Sequence, residues 1–117
     1  DFILTLYNAP FVVVSHDLED TAIFNFGNEM ALDLFELDWK SFIKMPSKES
    51  VEIINQVERE KLIQQVAKDG FLDNYSGIRL SSSGRRFLIQ GAIIWNIIDD
   101  SGAYYGQAAM FESWLHQ

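Results

Sequence analysis

The run Tyr75-Ser-Gly-Ile-Arg79 carries the residues of this chain best suited to binding chemistry. It reads as a strand, in which alternate side chains share a face, so Tyr75, Gly77 and Arg79 point the same way. A sheltered arginine offers paired donors to a carboxylate or phosphate. Its alternative use is to pair with a protein carboxylate or to reach the sheet edge. Further along, Ile89, Gly91, Ile93 and Trp95 also share one parity. A glycine inside a strand leaves room or marks a bend, so Gly77 and Gly91 either open space for a planar ligand or distort the strand. Tyr75 and Trp95 each carry a polar atom on a large apolar body. Such residues stack on a ligand or fill the core.

Other candidates are fewer. The chain has no cysteine, which excludes disulfides, thiolate nucleophiles and thiolate metal sites. His16 and His116 are the only histidines and stand near opposite ends of the chain. They offer no ligand pair at helical spacing, so no metal site is expected. Ser81, Ser82 and Ser83 form a turn with no histidine near them in sequence, and the glycine-rich phosphate signatures are missing. Arg85 and Arg86 beside that turn read as a solvated tip or an anion contact. Tyr75, Arg79 and Asn25 supply no strong base, so the chain reads as a non-enzyme.

The elements that must position these residues follow from patterning. With 117 residues, 48% hydrophobic, the chain is expected to form one domain over 1–117 with a substantial core. A net charge of −8 opposes phosphate backbones and anionic lipid, so neither nucleic acid nor membrane is expected as a partner. No signal peptide or long apolar span is evident, and the expected location is cytoplasmic. Residues 1–10 read as an N-terminal arm or short helix. Phe11–His16 reads as a buried strand, Asp17–Asp20 as a turn, and Thr21–Phe26 as a second strand. Asn28 and Asp38 are candidate helix caps, with Ala31, Leu32 and Phe35 behind the first and Trp39, Phe42 and Ile43 behind the second. A third helix is expected over Lys48–Lys68, with Ile54, Val57, Leu62 and Val66 as its apolar stripe and Gly70 as its stop. Three strands then follow, joined by Ser81-Ser-Ser-Gly84 and Asp99-Asp-Ser-Gly102. The order is β-β-α-α-α-β-β-β, an α+β fold with a five-stranded antiparallel sheet and helices packed on one face. Ile78, Leu80, Leu88, Ala92 and Ile94 carry the other parity. A sheet apolar on both faces needs cover on both, which points to residues 1–10 for part of the outer cover and to a second subunit, in a homodimer through that face, for the rest.

Asn25-Phe-Gly-Asn28, Ala31–Phe35, Gly70-Phe71, Tyr75–Arg79, Ser81–Phe87, Trp95-Asn96 and Gly106–Phe111 together resemble the MEKHLA domain family, a PAS-like family, here of the stand-alone bacterial type. The likeness spans roughly residues 7–115. It implies a PAS-like fold and a sensory, signalling or protein-interaction role, with a small-molecule ligand as the possible partner and its identity unknown. Register against PAS domains, counted back from Gly84, puts Tyr75 and Arg79 on the helix-covered side. The ligand set expected on that side is Tyr75, Arg79, Ile89, Trp95 and Met110. Haem is not expected, because haem-binding PAS domains take a histidine from the long helix and Lys48–Lys68 has none. A cysteinyl-flavin adduct is not expected either, for want of a cysteine.

Overall fold

A computed structural model describes residues 1–17 and 22–117. The turn expected at Asp17–Asp20 and the strand start expected at Thr21 fall largely on residues 18–21, outside the described residues. The chain opens with helix α1 (Phe2–Tyr7), whose first turn is capped by the Asp1 carboxylate. Strands β1 (Val12–His16) and β2 (Phe24–Gly27) follow. Helices α2 (Glu29–Phe35) and α3 (Trp39–Phe42) come next, then α4 (Gln56–Asp69). Strands β3 (Phe71–Leu80), β4 (Arg86–Ile98), β5 (Tyr104–Phe111) and β6 (Ser113–His116) complete the chain. The antiparallel sheet runs β2-β1-β5-β4-β3, with β6 also paired to β4.

The sixth strand was not expected from the sequence, and its origin is a break in the ladder. Ile93 pairs with Met110 and Gln90 with Ser113. β6 therefore continues β5 in the same register, interrupted at Glu112, across from Gly91. Gly91 has a left-handed backbone (φ 64°). On the other side of β4, Leu72 pairs with Ile94, Tyr75 with Ala92, and Gly77 with Ile89. β3 thus gains one residue near Asn74 (φ 52°), and β4 regains the register with one extra residue at Gly91. These are facing bulges, and an extra residue reverses which face later side chains occupy.

That reversal corrects the parity expected for β4. Ala92 and Ile94, expected on the outer face, are buried against the helices, whereas Ile93 is 39% exposed. Gly91 opens no ligand space; it is the bend. The room left by Gly77 is taken by the Tyr75 hydroxyl, which lies where a Cβ would stand.

The helical layer is pinned by Asn28. Its side-chain oxygen accepts from Ala31 N, capping α2, and from Val13 N on β1, both at 3.1 Å. Its amide donates to Phe11 O at 2.6 Å and Leu6 O at 3.3 Å. One fully buried amide thereby ties α1, β1 and α2 together. Beneath it, the Phe24 and Phe42 rings stack at 4.4 Å, and Phe35 meets Phe87 edge-on at 5.3 Å. Asp38 caps α3 through Ser41 N at 2.8 Å.

The expected single helix over Lys48–Lys68 is shorter. Two 3-10 turns, Ser47–Ser50 and Ile53–Asn55, precede α4, separated by an extended Val51. Ile54 and Val57 are 84% and 65% exposed and do not pack on the sheet. The packed stripe is Arg59, Leu62, Ile63 and Val66, at spacing i, i+3, i+4, i+7. The Ser81–Gly84 turn is docked as well: Ser81 and Ser83 hydroxyls donate to the Glu36 carboxylate, and Ser82 N donates to Phe35 O at 2.9 Å.

Replacing Asn28 by Ala removes the cap and leaves the Val13 amide and Phe11 carbonyl without their partners. The expected loss is about 3 kcal/mol, read as a lower denaturant midpoint; a change within about 0.5 kcal/mol, the usual range for surface substitutions, would contradict this reading.

Candidate functional site

The inner face of the sheet and the α4 stripe enclose a cavity of about 90 Å³. Val14 on β1, Ile89, Ala92 and Ile94 on β4, and Ala109 and Phe111 on β5 supply apolar wall. The register explains the grouping: Val14 pairs with Ala109, which also pairs with Ile94. Residues directly opposed in an antiparallel ladder share a face.

The polar wall comes from α4, β3 and the turn before α4. Arg59 is 6% exposed. It donates to Glu60 Oε1 at 2.9 Å and to the Ser47 hydroxyl. Arg79 donates to Ile78 O at 2.9 Å and to the Tyr75 hydroxyl at 3.3 Å. Its guanidinium also lies 5.7 Å from the centre of the Tyr75 ring, within cation–π range. Both arginines line the cavity. Burial lowers the Arg59 pKa, Glu60 opposes that shift, and the nearby positive charge of Arg79 adds to it. An arginine nonetheless stays charged at any ordinary pH.

His16 reaches the cavity from the end of β1. Its Nδ1 lies 2.9 Å from Asp17 O; a carbonyl only accepts, so Nδ1 carries the proton. Burial is the main cause that holds its pKa below 6.5, the Asp17 carbonyl pulls upward, and Arg59 lowers it further.

Gln107 and Asn96, paired across β5 and β4, close the α4 end. Gln107 donates to Ile63 O at 2.9 Å and Asn96 to Val66 O at 2.9 Å. Two side-chain amides on the sheet thus hold two carbonyls of the helix.

Of the five residues expected to meet a ligand, Tyr75, Arg79 and Ile89 lie on the cavity wall. Trp95 and Met110 do not. Trp95 shares its face with the exposed Phe71, and Met110 shares its face with the exposed Ile93, so both belong to the outer side of the sheet. The bulge at Gly91 is the reason for Trp95, since it exchanges the parity of everything after it on β4. The sequence reading missed Arg59, His16 and Gln107 as cavity residues. Arg59 had a usable signal: it is a charge at position i of a stripe completed by Leu62, Ile63 and Val66. Among the described residues no cluster of three potential metal ligands occurs, and no helix is long and apolar enough to cross a membrane.

A model of the MEKHLA domain matches residues 1–116. No curated protein is similar to the chain in sequence. Its fold is shared by solved PAS domains. A PAS domain from Colwellia psychrerythraea superposes with a TM-score of 0.80 at 13% identity, over 93% of this chain and 90% of that one. The PAS domain of a LuxR-family transcriptional regulator from Burkholderia thailandensis, in complex with ethanol, gives 0.71 at 14% identity, over 94% and 95%. The light-state dimer of the fungal blue-light photoreceptor Vivid gives 0.68 at 11%, over 88% and 77%. At these identities the likeness is one of fold.

Because the folded-state pKa of His16 is lowered, the unfolded chain takes up the proton first as pH falls. The stability that neutral His16 contributes is present above 6.5 and is lost as pH falls through the folded value. Denaturation curves should show this loss, with a slope no steeper than about 1.4 kcal/mol per pH unit, and His16→Gln should flatten it. An unchanged slope in that variant would assign the titration to another group.

Proposed function

The chain belongs to the MEKHLA domain family, and on that premise we propose that it is a PAS-like sensory module that holds a small molecule between its sheet and helices. The observation that carries this is the cavity itself, which is walled by the sheet on one side and α4 on the other. A volume of about 90 Å³ suits a compact molecule of few heavy atoms, well below the roughly 300–1,000 Å³ of drug-sized sites. The ethanol complex of the Burkholderia thailandensis domain is a precedent for so small an occupant in this fold. The lining supplies groups suited to binding: the guanidiniums of Arg59 and Arg79, the Tyr75 phenol, the Gln107 amide and the neutral imidazole of His16.

Signalling follows from where the walls belong. Arg59 is part of α4, while Arg79 and Tyr75 are part of β3. An occupant touching both has unequal affinity for arrangements in which helix and sheet are closer or further apart. That inequality is the only way a ligand shifts an equilibrium. The output surface is the outer sheet face, on the far side of the same strands.

The test is an NMR screen of small alcohols, amines, acids and amides against the labelled protein. Amide shifts clustering at Tyr75, Arg79, Ile89, Ala92 and α4, and abolished when Ala92→Leu fills the cavity, are the expected result. A screen in which every class leaves those amides unmoved would sink the reading.

A second reading, homodimerisation through the outer face, is favoured by one observation. Phe71, Ile93 and Leu115 are 60%, 39% and 54% exposed there. Leu88 lies between Ile78 and Leu115 in the ladder and Trp95 between Phe71 and Ala108, which gives one apolar band. Bands of this kind mark interfaces. Light scattering should report a dimer, and Ile93→Glu should yield a folded monomer. A monomeric wild-type protein would remove this reading, and a dimer surviving the substitution would place the interface elsewhere.

A further inference from the structure

The distribution of charge points to the chemistry of the occupant. The chain has 17 acidic and 9 basic residues, yet the described residues lining the cavity include Arg59, Arg79 and His16 and no carboxylate. The interior of the site therefore has the opposite sign to the molecule as a whole.

Neither arginine is neutralised within the cavity. The one ion pair of Arg59 uses Glu60, which is 61% exposed and not part of the cavity wall. Arg79 has no ion pair among the described residues; its partners are a backbone carbonyl and a phenol. A guanidinium carries five donors in a planar fork. Arg59 and the half-buried Arg79 each keep donors of that fork beyond the partners named, and a sheltered charge favours further polar partners. Two guanidiniums on one cavity also repel, and an anion between them turns that repulsion into attraction. Around them the wall is aliphatic, from Val14, Ile89, Ala92 and Ile94. A bare inorganic anion would bury its charge against hydrocarbon on that side. A carboxylate with a short hydrocarbon tail satisfies both halves.

Resting on the reading of the cavity as a ligand site, we infer that its occupant is a short-chain aliphatic monocarboxylate, with its head between Arg79 and Arg59 and its tail against the inner face of β4 and β5. Paired N–H donors recognise the planar head, and the cavity volume limits the tail. Arg79 is the discriminating residue. It is half-buried and its place in the fold does not depend on an ion pair, whereas Arg59 also anchors the Ser47 turn.

The experiment compares butyrate, butyramide and butanol by calorimetric titration and thermal shift on the wild type, Arg79→Gln and Arg79→Lys, with circular dichroism to confirm that each variant is folded. Butyrate is expected to bind at least about tenfold more tightly than its two neutral isosteres, the worth of a charge-assisted hydrogen bond. Arg79→Gln should lose about that factor for butyrate alone, and Arg79→Lys should keep part of it. Butyramide or butanol binding as well as butyrate would overturn the carboxylate assignment while leaving the cavity a ligand site. Butyrate binding unchanged in Arg79→Gln would overturn it too, by placing the anion elsewhere. Failure of all three to bind or to move the cavity amides would remove both the assignment and the ligand reading beneath it.

Discussion

Much of this structure depends on a line of backbone irregularities running across three strands, at Asn74, Gly91 and Glu112. Each strand changes the facing of its side chains there, and the three changes coincide. The sheet keeps its hydrogen bonds on both sides of the line and bends at it. On one side Phe87 and Ile89 face the helices; on the other Ala92 and Ile94 do. The bend therefore decides which four residues of β4 build the core and the cavity. It also delivers Trp95 and Ile93 to the outer face. Left-handed backbone at Gly91 makes the line cheap, since glycine adopts it without a steric penalty. Asn74 is the next best tolerated kind of residue in that conformation.

Given that sheet, the helical layer is held by polar side chains at its margins and by aromatic packing at its centre. Asn28 fastens the first half of the layer, and Asn96 with Gln107 fastens α4. Each is an amide that supplies both donor and acceptor, so a single residue can bridge two elements. Between them, Phe24, Phe35, Phe42 and Phe87 fill the space near β1 and β4. The cavity lies where this packing gives way to the part of the wall that carries Arg59 and Arg79.

The same arrangement sets the cavity and the exposed apolar band on opposite faces of one sheet. Inner and outer residues alternate along the same strands, so a displacement of β3 or β4 moves Tyr75 and Arg79 on one face together with Ile78, Leu88 and Ile93 on the other. Strands transmit such shifts because their side chains share one backbone.

Local signals in the sequence were sufficient for much of the architecture. The caps at Asn28 and Asp38, the stop at Gly70 and the two serine-rich or aspartate-rich turns are written in residues whose side chains act within three or four positions. The order of strands and helices and the antiparallel sheet were legible for the same reason, whereas the inward direction of Tyr75 and Arg79 came from the resemblance to PAS domains. Whatever depended on counting through an irregularity was not. Alternation predicted Gly91 and Trp95 inside and Ala92 and Ile94 outside, because a period of two carries no mark of an added residue. The sixth strand was hidden because β6 is simply β5 resumed after the bend. Ile54 and Val57 were expected on the packed stripe because the helix was read from Lys48, whereas Val51 breaks the run and the stripe that faces the sheet begins at Arg59. Composition and short-range spacing thus determined the elements and their caps. Only the tertiary structure decided which side chains meet, since the face a residue occupies depends on backbone events in partner strands that no local window contains.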